Sequence, residues 1–363
     1  MEKKYSGYLL QLISAFCIVL LVTSCNKDKR VVPEGNPVTL PLIEYGSDQA
    51  KRIFIPITQL GGQTIKEYYS IFDTGSAGMT IDATDILPAS MITSSGITVP
   101  GDSVLINGIT VTSRTSTVSF GSKNALTKEY GNLAYASVTI GDQNGSTTIK
   151  RIPFFLYYKI IDQNGKQLPA HSSDIFGVGP GYSYAFNEVL SPLTYISTTG
   201  LTNGFKLAIL NGSDFNTTSG VYVPGLLTIG LTQSDLSSQS GFIMHPLNFS
   251  QSGGYLPNIP ATISYSGKSI QTQILFDTGT PSVTIIEDQT ANSIGNLPSN
   301  TLVTLTTNEG FKYQYTTNST STLTAVENPN TTGDFRTIYS IAFFIQNEYL
   351  TDYTNHQIGL KNN

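Results

Sequence analysis

Two aspartates occupy the same short motif in opposite halves of the 363-residue chain. Asp73 follows an apolar run in segment 71–81, which reads IFDTGSAGMTI, and Asp277 does so in segment 275–285, which reads LFDTGTPSVTI. Two carboxylates held close together share one proton, because both cannot ionise cheaply. The ionised partner can take a proton from water, and the protonated partner can hydrogen-bond a carbonyl under attack. The pair predicts hydrolysis by an activated water molecule, with neither metal nor cofactor.

The residues after each aspartate suit the support of such a pair. Glycine after Asp-Thr allows a tight turn that brings a backbone amide to the carboxylate. The next hydroxyl can donate to the outer carboxylate oxygen, and the two threonines can join the loops by mutual hydrogen bonds. An ordinary strand-to-strand turn is the alternative, but a turn does not require the same pattern twice. The predicted supporting residues are Thr74, Gly75, Ser76, Thr278, Gly279 and Thr280.

Strand patterns fill the chain around these motifs. Short runs rich in Val, Ile, Thr, Tyr and Phe alternate with turn residues, a pattern typical of half-buried strands. The clearest runs are 52–58, 67–72, 137–140, 153–161, 226–229 and 261–265. Helical periodicity is confined to three short candidates, at 187–197, 232–237 and 287–294. These patterns predict an all-β fold.

Composition excludes several classes of function. Charged residues make up 12%, and 20 Lys and Arg against 25 Asp and Glu give a net charge of −5. Nucleic-acid binding needs clustered basic residues, so we expect none. The 2 cysteines are Cys17 and Cys25, near the N-terminus, and we expect no disulfide in the body. The 3 histidines lack metal-ligand spacing, and no G-x-S-x-G motif indicates a serine hydrolase.

Three loop motifs favour turns over ligand sites. Segments 142–145 and 162–165 both read DQNG, with Asp and Asn at calcium-like spacing. Neither is followed by the acidic residue that closes a calcium loop, and Asn-Gly is typical of hairpins. Segment 177–181, GVGPG, lacks the G-x-G-x-x-G spacing of a dinucleotide loop.

At its two aspartate motifs the chain resembles the pepsin-like aspartic endopeptidases, and the resemblance spans about residues 40 to 360. It implies a two-lobed acid-protease fold with a cleft between lobes 38–203 and 204–363, and Asp73 and Asp277 as catalytic residues. We expect a monomer that binds a peptide or protein substrate in extended form. Supporting landmarks, in the order expected of the family, are 52–57, 174–179, 204–210, 225–230 and 355–360.

Several residues depart from the family pattern. The family's flap hairpin, placed here at 118–140, carries Tyr-Gly at its tip, whereas this chain offers Phe120-Gly121 or, as a second candidate, Tyr130-Gly131. Thr80 stands where the family has a tryptophan, and Ser340 replaces a glycine beneath the second catalytic loop. A cleft lined by Phe120, Phe176 and aliphatic residues would prefer hydrophobic side chains.

The N-terminus resembles a targeting segment. Lys3 and Lys4 precede an apolar run over 8–22, too short for a membrane span and typical of a secretory signal. The sequence that ends at Cys25 resembles a bacterial lipobox. We therefore expect a signal peptide over 1–24, a lipidated Cys25, a polar tether over 25–37, and anchoring to the bacterial cell envelope, at the outer membrane. An ordinary signal with an incidental cysteine is the alternative.

Two other functions stay open on the sequence. One is a non-catalytic, envelope-anchored binding protein on the same scaffold, since fold does not dictate function. The other is a lipid-anchored, β-rich adhesin without a protease fold. The separation of the Asp73 and Asp277 carboxylates tests the adhesin hypothesis, and binding of a statine-type peptide inhibitor distinguishes the binding protein from the hydrolase.

Overall fold

A computed structural model describes residues 35–121, 126–216, 219–292 and 294–363. The predicted signal peptide, Cys25 and the tether up to residue 34 lie outside the described residues, as do residues 122–125 of the predicted flap. The last tether residues, 35–37, have no regular secondary structure. Within the described ranges, no helix has the length and apolar character needed to cross a membrane.

Strands dominate the described part of the chain, as the alternating patterns predict. The 14-stranded and the 8-stranded sheet contain most of them. In chain order the strands are β1 Val38–Tyr45, β2 Arg52–Leu60, β3 Gln63–Asp73, β4 Ala77–Asp82, β5 Ile92–Thr93, β6 Gly96–Ile97, β7 Ser103–Ile106, β8 Ile109–Phe120, β9 Thr127–Asp142, β10 Gly145–Ile161, β11 Ile175–Val178, β12 Thr202–Leu207, β13 Val221–Leu231, β14 Ile243–Pro246, β15 Phe249–Ser250, β16 Gly254–Tyr255, β17 Asn258–Tyr265, β18 Lys268–Phe276, β19 Thr284–Glu287, β20 Gly295–Asn296, β21 Leu302–Thr307, β22 Lys312–Thr316, β23 Thr324–Glu327, β24 Arg336–Tyr339, β25 Asn347–Asp352 and β26 Gln357–Asn362.

Helices in the described ranges are single turns. The one predicted within 232–237 is confirmed: Thr232 accepts a hydrogen bond from the Asp235 amide at 3.1 Å, and the Asp235 carboxylate accepts one from the Thr232 amide at 2.9 Å. This reciprocal pair is a capping box. The α-helices are α1 Gln233–Leu236, α2 Pro329–Thr332 and α3 Ile341–Phe344, and the 3₁₀ turns are Asp48–Ala50, Ala89–Met91 and Pro192–Tyr195.

Two predicted helices are wrong. Segment 187–197 contains only the 3₁₀ turn Pro192–Tyr195, with Ser191 accepting a hydrogen bond from an amide within the turn. Segment 287–294 begins as the end of strand β19. There the Asp288 carboxylate accepts a hydrogen bond from the Thr290 amide at 2.8 Å, which closes a local turn. Asp and Ser form such turns as readily as helix caps, so the sequence signal was ambiguous.

The strands of the two halves repeat one topology. In the first half, β3 pairs in parallel with β11, and β11 pairs antiparallel with β4. In the second half, β18 pairs in parallel with β24, and β24 pairs antiparallel with β19. Each aspartate motif therefore leaves one strand of such a trio and enters another. This duplication confirms the predicted all-β fold with two lobes.

One strand links the sheet systems of the first and second halves. Strand β1 pairs with β13, from the second half of the chain, and with β2, from the first. Strand β2 also pairs with β9, which closes strands β2, β3, β11, β4, β10 and β9 around an apolar interior. Phe72, Phe176 and Phe205 are fully buried here, and Phe72 meets Phe205 edge-on at 5.7 Å. Burial of each such ring stabilises the fold by about 1.5–3 kcal/mol.

The loops at 142–145 and 162–165 are turns, as predicted. The first joins β9 to β10, and its Asp142 carboxylate accepts a hydrogen bond from the Asn144 amide at 2.8 Å. In the second, Asp162 accepts from the Asn164 and Lys166 amides, each at 2.9 Å. Each aspartate side chain is thus engaged with its own loop backbone.

Candidate active site

The two motif aspartates emerge from buried strands. Asp73 is the last residue of β3, and Asp277 directly follows β18. The preceding phenylalanines, Phe72 and Phe276, are almost completely buried, which fixes the direction in which each strand ends. Beneath them, the Asp277 amide donates to the Tyr339 carbonyl oxygen at 2.8 Å. The apolar residue before each Asp thus anchors the loop, and the Asp side chain is left free to face the other lobe.

Each carboxylate receives the same two hydrogen bonds from its own loop. One comes from the glycine amide two residues later, and the other from the hydroxyl three residues later. Both are charge-assisted bonds that hold a carboxylate in one orientation. The bonds run from Gly75 N to Asp73 Oδ1 at 2.7 Å, from Ser76 Oγ to Asp73 Oδ2 at 2.5 Å, from Gly279 N to Asp277 Oδ1 at 2.7 Å, and from Thr280 Oγ1 to Asp277 Oδ2 at 2.6 Å.

The two carboxyl groups meet. A Cβ atom placed on Gly75 would lie 2.5 Å from Asp277 Cγ, and one placed on Gly279 would lie 2.7 Å from Asp73 Cγ. Each glycine therefore lies directly against the opposite aspartate, where no side chain fits. Burial, the charge of Asp277 and a hydrogen bond with it raise the pKa of Asp73 well above its ordinary value. Such a pair retains a shared proton.

The threonines lock the loops together from below. Thr74 Oγ1 donates to the Phe276 carbonyl oxygen at 2.8 Å, and Thr278 Oγ1 donates to the Phe72 carbonyl oxygen at 2.6 Å. Each hydroxyl also accepts from the amide of the other threonine, at 3.0 Å in both directions. Every predicted supporting residue of the two motifs is thus brought to the same place.

Ser340 lies beneath the second aspartate loop, where Gly177 is its counterpart beneath the first loop. The two positions are accommodated differently. A Cβ on Gly177 would lie 2.6 Å from the Gly78 carbonyl oxygen, so that position requires glycine. Ser340 instead precedes helix α3, and its hydroxyl accepts a hydrogen bond from the Ala342 amide at 3.4 Å. Serine is a preferred residue at such a helix start.

The predicted flap is a longer hairpin than expected. Strands β8 and β9 pair from Thr110 onward, and Phe120 is the last residue of β8, opposite Thr127. Gly121 follows with φ of 92°. Gly131 lies inside β9, opposite Ser116, so the second flap candidate is a strand position.

Three aromatic or hydroxyl positions have roles that the sequence did not specify. Phe120 packs against a small cluster that includes Val118 and Phe155. Phe176 is fully buried against Phe72, so the expectation that it lines the cleft is wrong. The Thr80 hydroxyl accepts from the Ile175 amide at 3.3 Å and thus braces the strand beneath the first loop.

Two arginines flank the aspartates, and sequence reasoning missed both. Arg336 lines a cavity of about 170 Å³ against the first loop, together with Ser76 and Tyr184, and forms an ion pair with Asp334 at 2.7 Å. Arg52 lines a second cavity, of about 430 Å³, against the second loop. A lone arginine at a strand start carries no signal in sequence; only the packing of lobe on lobe places it at the cleft.

Solved structures of three proteins are similar over nearly the whole chain. The aspartic proteinase from Irpex lacteus is 18% identical, with a TM-score of 0.55 over 90% of this chain and 97% of that one. The basic 7S globulin from soybean is 12% identical, with a TM-score of 0.55 over 90% and 95%. Conglutin gamma from lupine seeds is 11% identical, with a TM-score of 0.55 over 91% and 96%. No family model and no curated protein sequence matches the chain.

The chain therefore has the pepsin-like, two-lobed all-β fold. At these identities the likeness is one of fold alone. One of the three structures is named as a proteinase and two are named as 7S globulins. Activity has to be argued from the site, because one scaffold hosts several functions.

Proposed function

We propose that the protein is an aspartic endopeptidase that hydrolyses peptide bonds with water activated by Asp73 and Asp277. The observation that supports this most directly is the meeting of the two carboxyl groups, each braced by a glycine amide and a hydroxyl. A binding surface has no need of two carboxyl groups forced together. Because its pKa is raised, Asp73 can stay protonated and supply the proton that the reaction needs.

The chemistry follows from one shared proton. The Asp277 carboxylate takes a proton from water as the water oxygen attacks the peptide carbonyl carbon, and Asp73 gives its proton to the carbonyl oxygen. The resulting tetrahedral diol collapses when Asp277 passes its proton to the leaving nitrogen and Asp73 recovers one from a hydroxyl. The C–N bond breaks, one water is consumed, and both carboxyl groups return to their initial state.

The substrate is a peptide or protein segment in extended form. It would cross the dyad beneath the β8–β9 hairpin and pair its main chain with the cleft walls, as an added strand does. Phe120 and Gly121 would cover it from the hairpin. The cavities lined by Arg336 and Arg52 lie against the first and the second loop, where side chains on either side of the scissile bond would fall.

Single replacements of the aspartates test the proposal. Asp73→Asn and Asp277→Asn should each lose peptide hydrolysis by at least 10²–10⁴-fold, the usual contribution of an acid–base group. A random peptide library incubated across acid and neutral pH, with product detection by mass spectrometry, supplies the readout. Wild-type cleavage rates in either variant, with melting temperatures unchanged, would exclude this mechanism.

A non-catalytic binding protein on the same scaffold is the second candidate. It is favoured by the two 7S globulins among the similar structures and by Phe120 where the family has tyrosine. A statine-type peptide inhibitor separates the two. A catalytic dyad predicts that the inhibitor raises the melting temperature and blocks cleavage, whereas a binder predicts no cleavage at any pH.

We further propose that the mature protein is exported and anchored to the bacterial cell envelope through lipid on Cys25. The lipobox-like sequence before Cys25 supports this. Metabolic labelling with a fatty acid should mark the wild-type protein, and Cys25→Ser should abolish the label. A secreted, unlabelled wild-type protein would favour the ordinary signal peptide instead.

A further inference from the structure

The cavity against the second aspartate loop is lined by charged and aromatic side chains. Its walls include Arg52, Phe54, Tyr69, His171, Asp174 and Pro281. Pro281 directly follows Thr280 of the loop, and the charges of Asp277 and Asp73 both act on Arg52. The cavity therefore borders the site at which the scissile bond would lie.

Arg52 has no acidic partner among the described residues. Its guanidinium donates to the Lys51 carbonyl oxygen at 3.0 Å, and no carboxylate in the described ranges lies within 4.0 Å of it. Burial lowers the pKa of Arg52, but an arginine remains charged at any pH at which the protein is folded. A half-buried cation without a counter-ion is costly, so an anion that enters the cavity gains from pairing with it.

His171 and Asp174 form an ion pair in the cavity wall in mild acid. Its Nδ1 lies 2.9 Å from Asp174 Oδ2, and this hydrogen bond raises the pKa of His171. Asp174 is buried and already accepts hydrogen bonds from the Tyr157 hydroxyl at 2.9 Å and the Asp82 amide at 2.8 Å. The His171 and Asp174 charges offset each other, and Asp85 lies 3.8 Å from His171 Nε2, so Arg52 is the residue that gives the cavity its cationic character.

This inference rests on the proposed peptidase function. We propose that the cavity binds an acidic side chain of the substrate, Glu or Asp, close to the scissile bond on the side of the second loop. The Arg52 guanidinium would pair with the carboxylate, and Phe54 and Tyr69 would pack on the aliphatic part. The enzyme would then select acidic residues at this position, in place of the hydrophobic preference that the sequence suggested.

Binding of matched statine peptides tests the proposal without need for turnover. One peptide series carries a single Glu, moved one position at a time along the peptide, and the matched series carries Gln. Affinities are measured by calorimetry at about pH 5.5, where a Glu side chain is ionised. In the wild type, Glu should bind roughly tenfold more tightly than Gln at one position, as expected for one charge-assisted pair.

Three variants assign that preference to Arg52. Arg52→Gln should make the Glu and Gln peptides equal, and Arg52→Lys should keep part of the difference. Arg151→Gln removes the same charge from an exposed position in β10, where the side chain donates to Thr110 at 3.1 Å, and should keep the full tenfold ratio. Equal binding of Glu and Gln peptides by the wild type, or a preference that survives Arg52→Gln, overturns the inference alone. Failure of every statine peptide to bind overturns the proposed peptidase function as well.

Discussion

Thr74 and Thr278 bind each other's lobes in a closed set of hydrogen bonds. Each hydroxyl donates to the carbonyl oxygen before the other's aspartate, at 2.8 and 2.6 Å, and accepts from the other's amide at 3.0 Å. Both side chains are fully buried. Because these bonds cross between the lobes, they hold Asp73 and Asp277 at a fixed distance. They also stabilise the contact between the lobes.

Removal of one threonine hydroxyl should weaken the fold. Thr74→Val leaves the Phe276 carbonyl and the Thr278 amide without these partners, and should lower the free energy of unfolding by about 1–3 kcal/mol. Thr74→Ser keeps the hydroxyl and serves as the matched control. Urea denaturation measures both. A double variant with Thr278→Val should lose less than the sum of the single losses, since the two hydroxyls also contact each other at 3.4 Å. Strict additivity would contradict the shared network.

Addition of one methyl group at the dyad should slow catalysis. In Gly75→Ala the new Cβ would lie 2.5 Å from Asp277 Cγ, so the carboxylate must move. A displacement of this size costs roughly 100-fold in rate. Gly295→Ala is the control, because no atom lies within 4 Å of the Cβ it would add. The measurement is kcat/KM on a cleaved peptide, and equal loss in both variants would argue against the crowding.

The pH profile should report the shared proton. Asp73 holds it because burial and Asp277 raise its pKa, so kcat/KM should fall as rising pH removes the proton. The Ser76 hydroxyl bond favours the ionised form of Asp73. Ser76→Ala should therefore move the alkaline limb to higher pH. Ser146→Ala, at an exposed position, should leave the limb in place. A shift to lower pH in Ser76→Ala would contradict the assignment.

Stability should decrease from acid to neutral pH. Burial raises the pKa of Glu44 and of Glu287 from 4.5 to about 7. Between these values the folded state holds protons that the unfolded state has lost, so the free energy of unfolding falls as pH rises from 4.5 to 7. The raised pKa of His171 acts in the same direction. His245, with a pKa lowered by burial, acts in the opposite direction when pH falls below 6.5.

The Glu44 contribution can be isolated by one amide replacement. Glu44 Oε1 accepts a hydrogen bond from the Asn211 amide at 3.0 Å, which Gln can also accept. Glu44→Gln should therefore reduce the loss of unfolding free energy between pH 4.5 and 7.5 by up to about 3 kcal/mol. Exposed Glu67→Gln should not change it. Denaturation curves at the two pH values measure the unfolding free energies. If Glu44→Gln kept the full wild-type loss of unfolding free energy, the assignment would be contradicted.

The aspartate loops could be predicted from the sequence because the same motif occurs twice. Phe-Asp-Thr-Gly followed by a hydroxyl residue is a local pattern, and its hydrogen bonds to Asp73 or Asp277 come from residues two and three positions later. The strands were readable for the same reason, since alternation of apolar and polar residues records the two faces of a sheet. Asp and Ser at helix starts were ambiguous, because the same side chains close turns, as Asp288 does.

The sequence by itself determined the all-β class, the two aspartates and their immediate supports, because those depend on neighbours along the chain. Only the tertiary structure decided that the carboxyl groups meet, that Phe176 is buried in the core, and that Arg52 faces the cleft. These features join residues far apart in the sequence, as the 204 positions between Thr74 and Thr278 illustrate. Contacts of that kind arise from the packing of one lobe on the other, which no local pattern encodes.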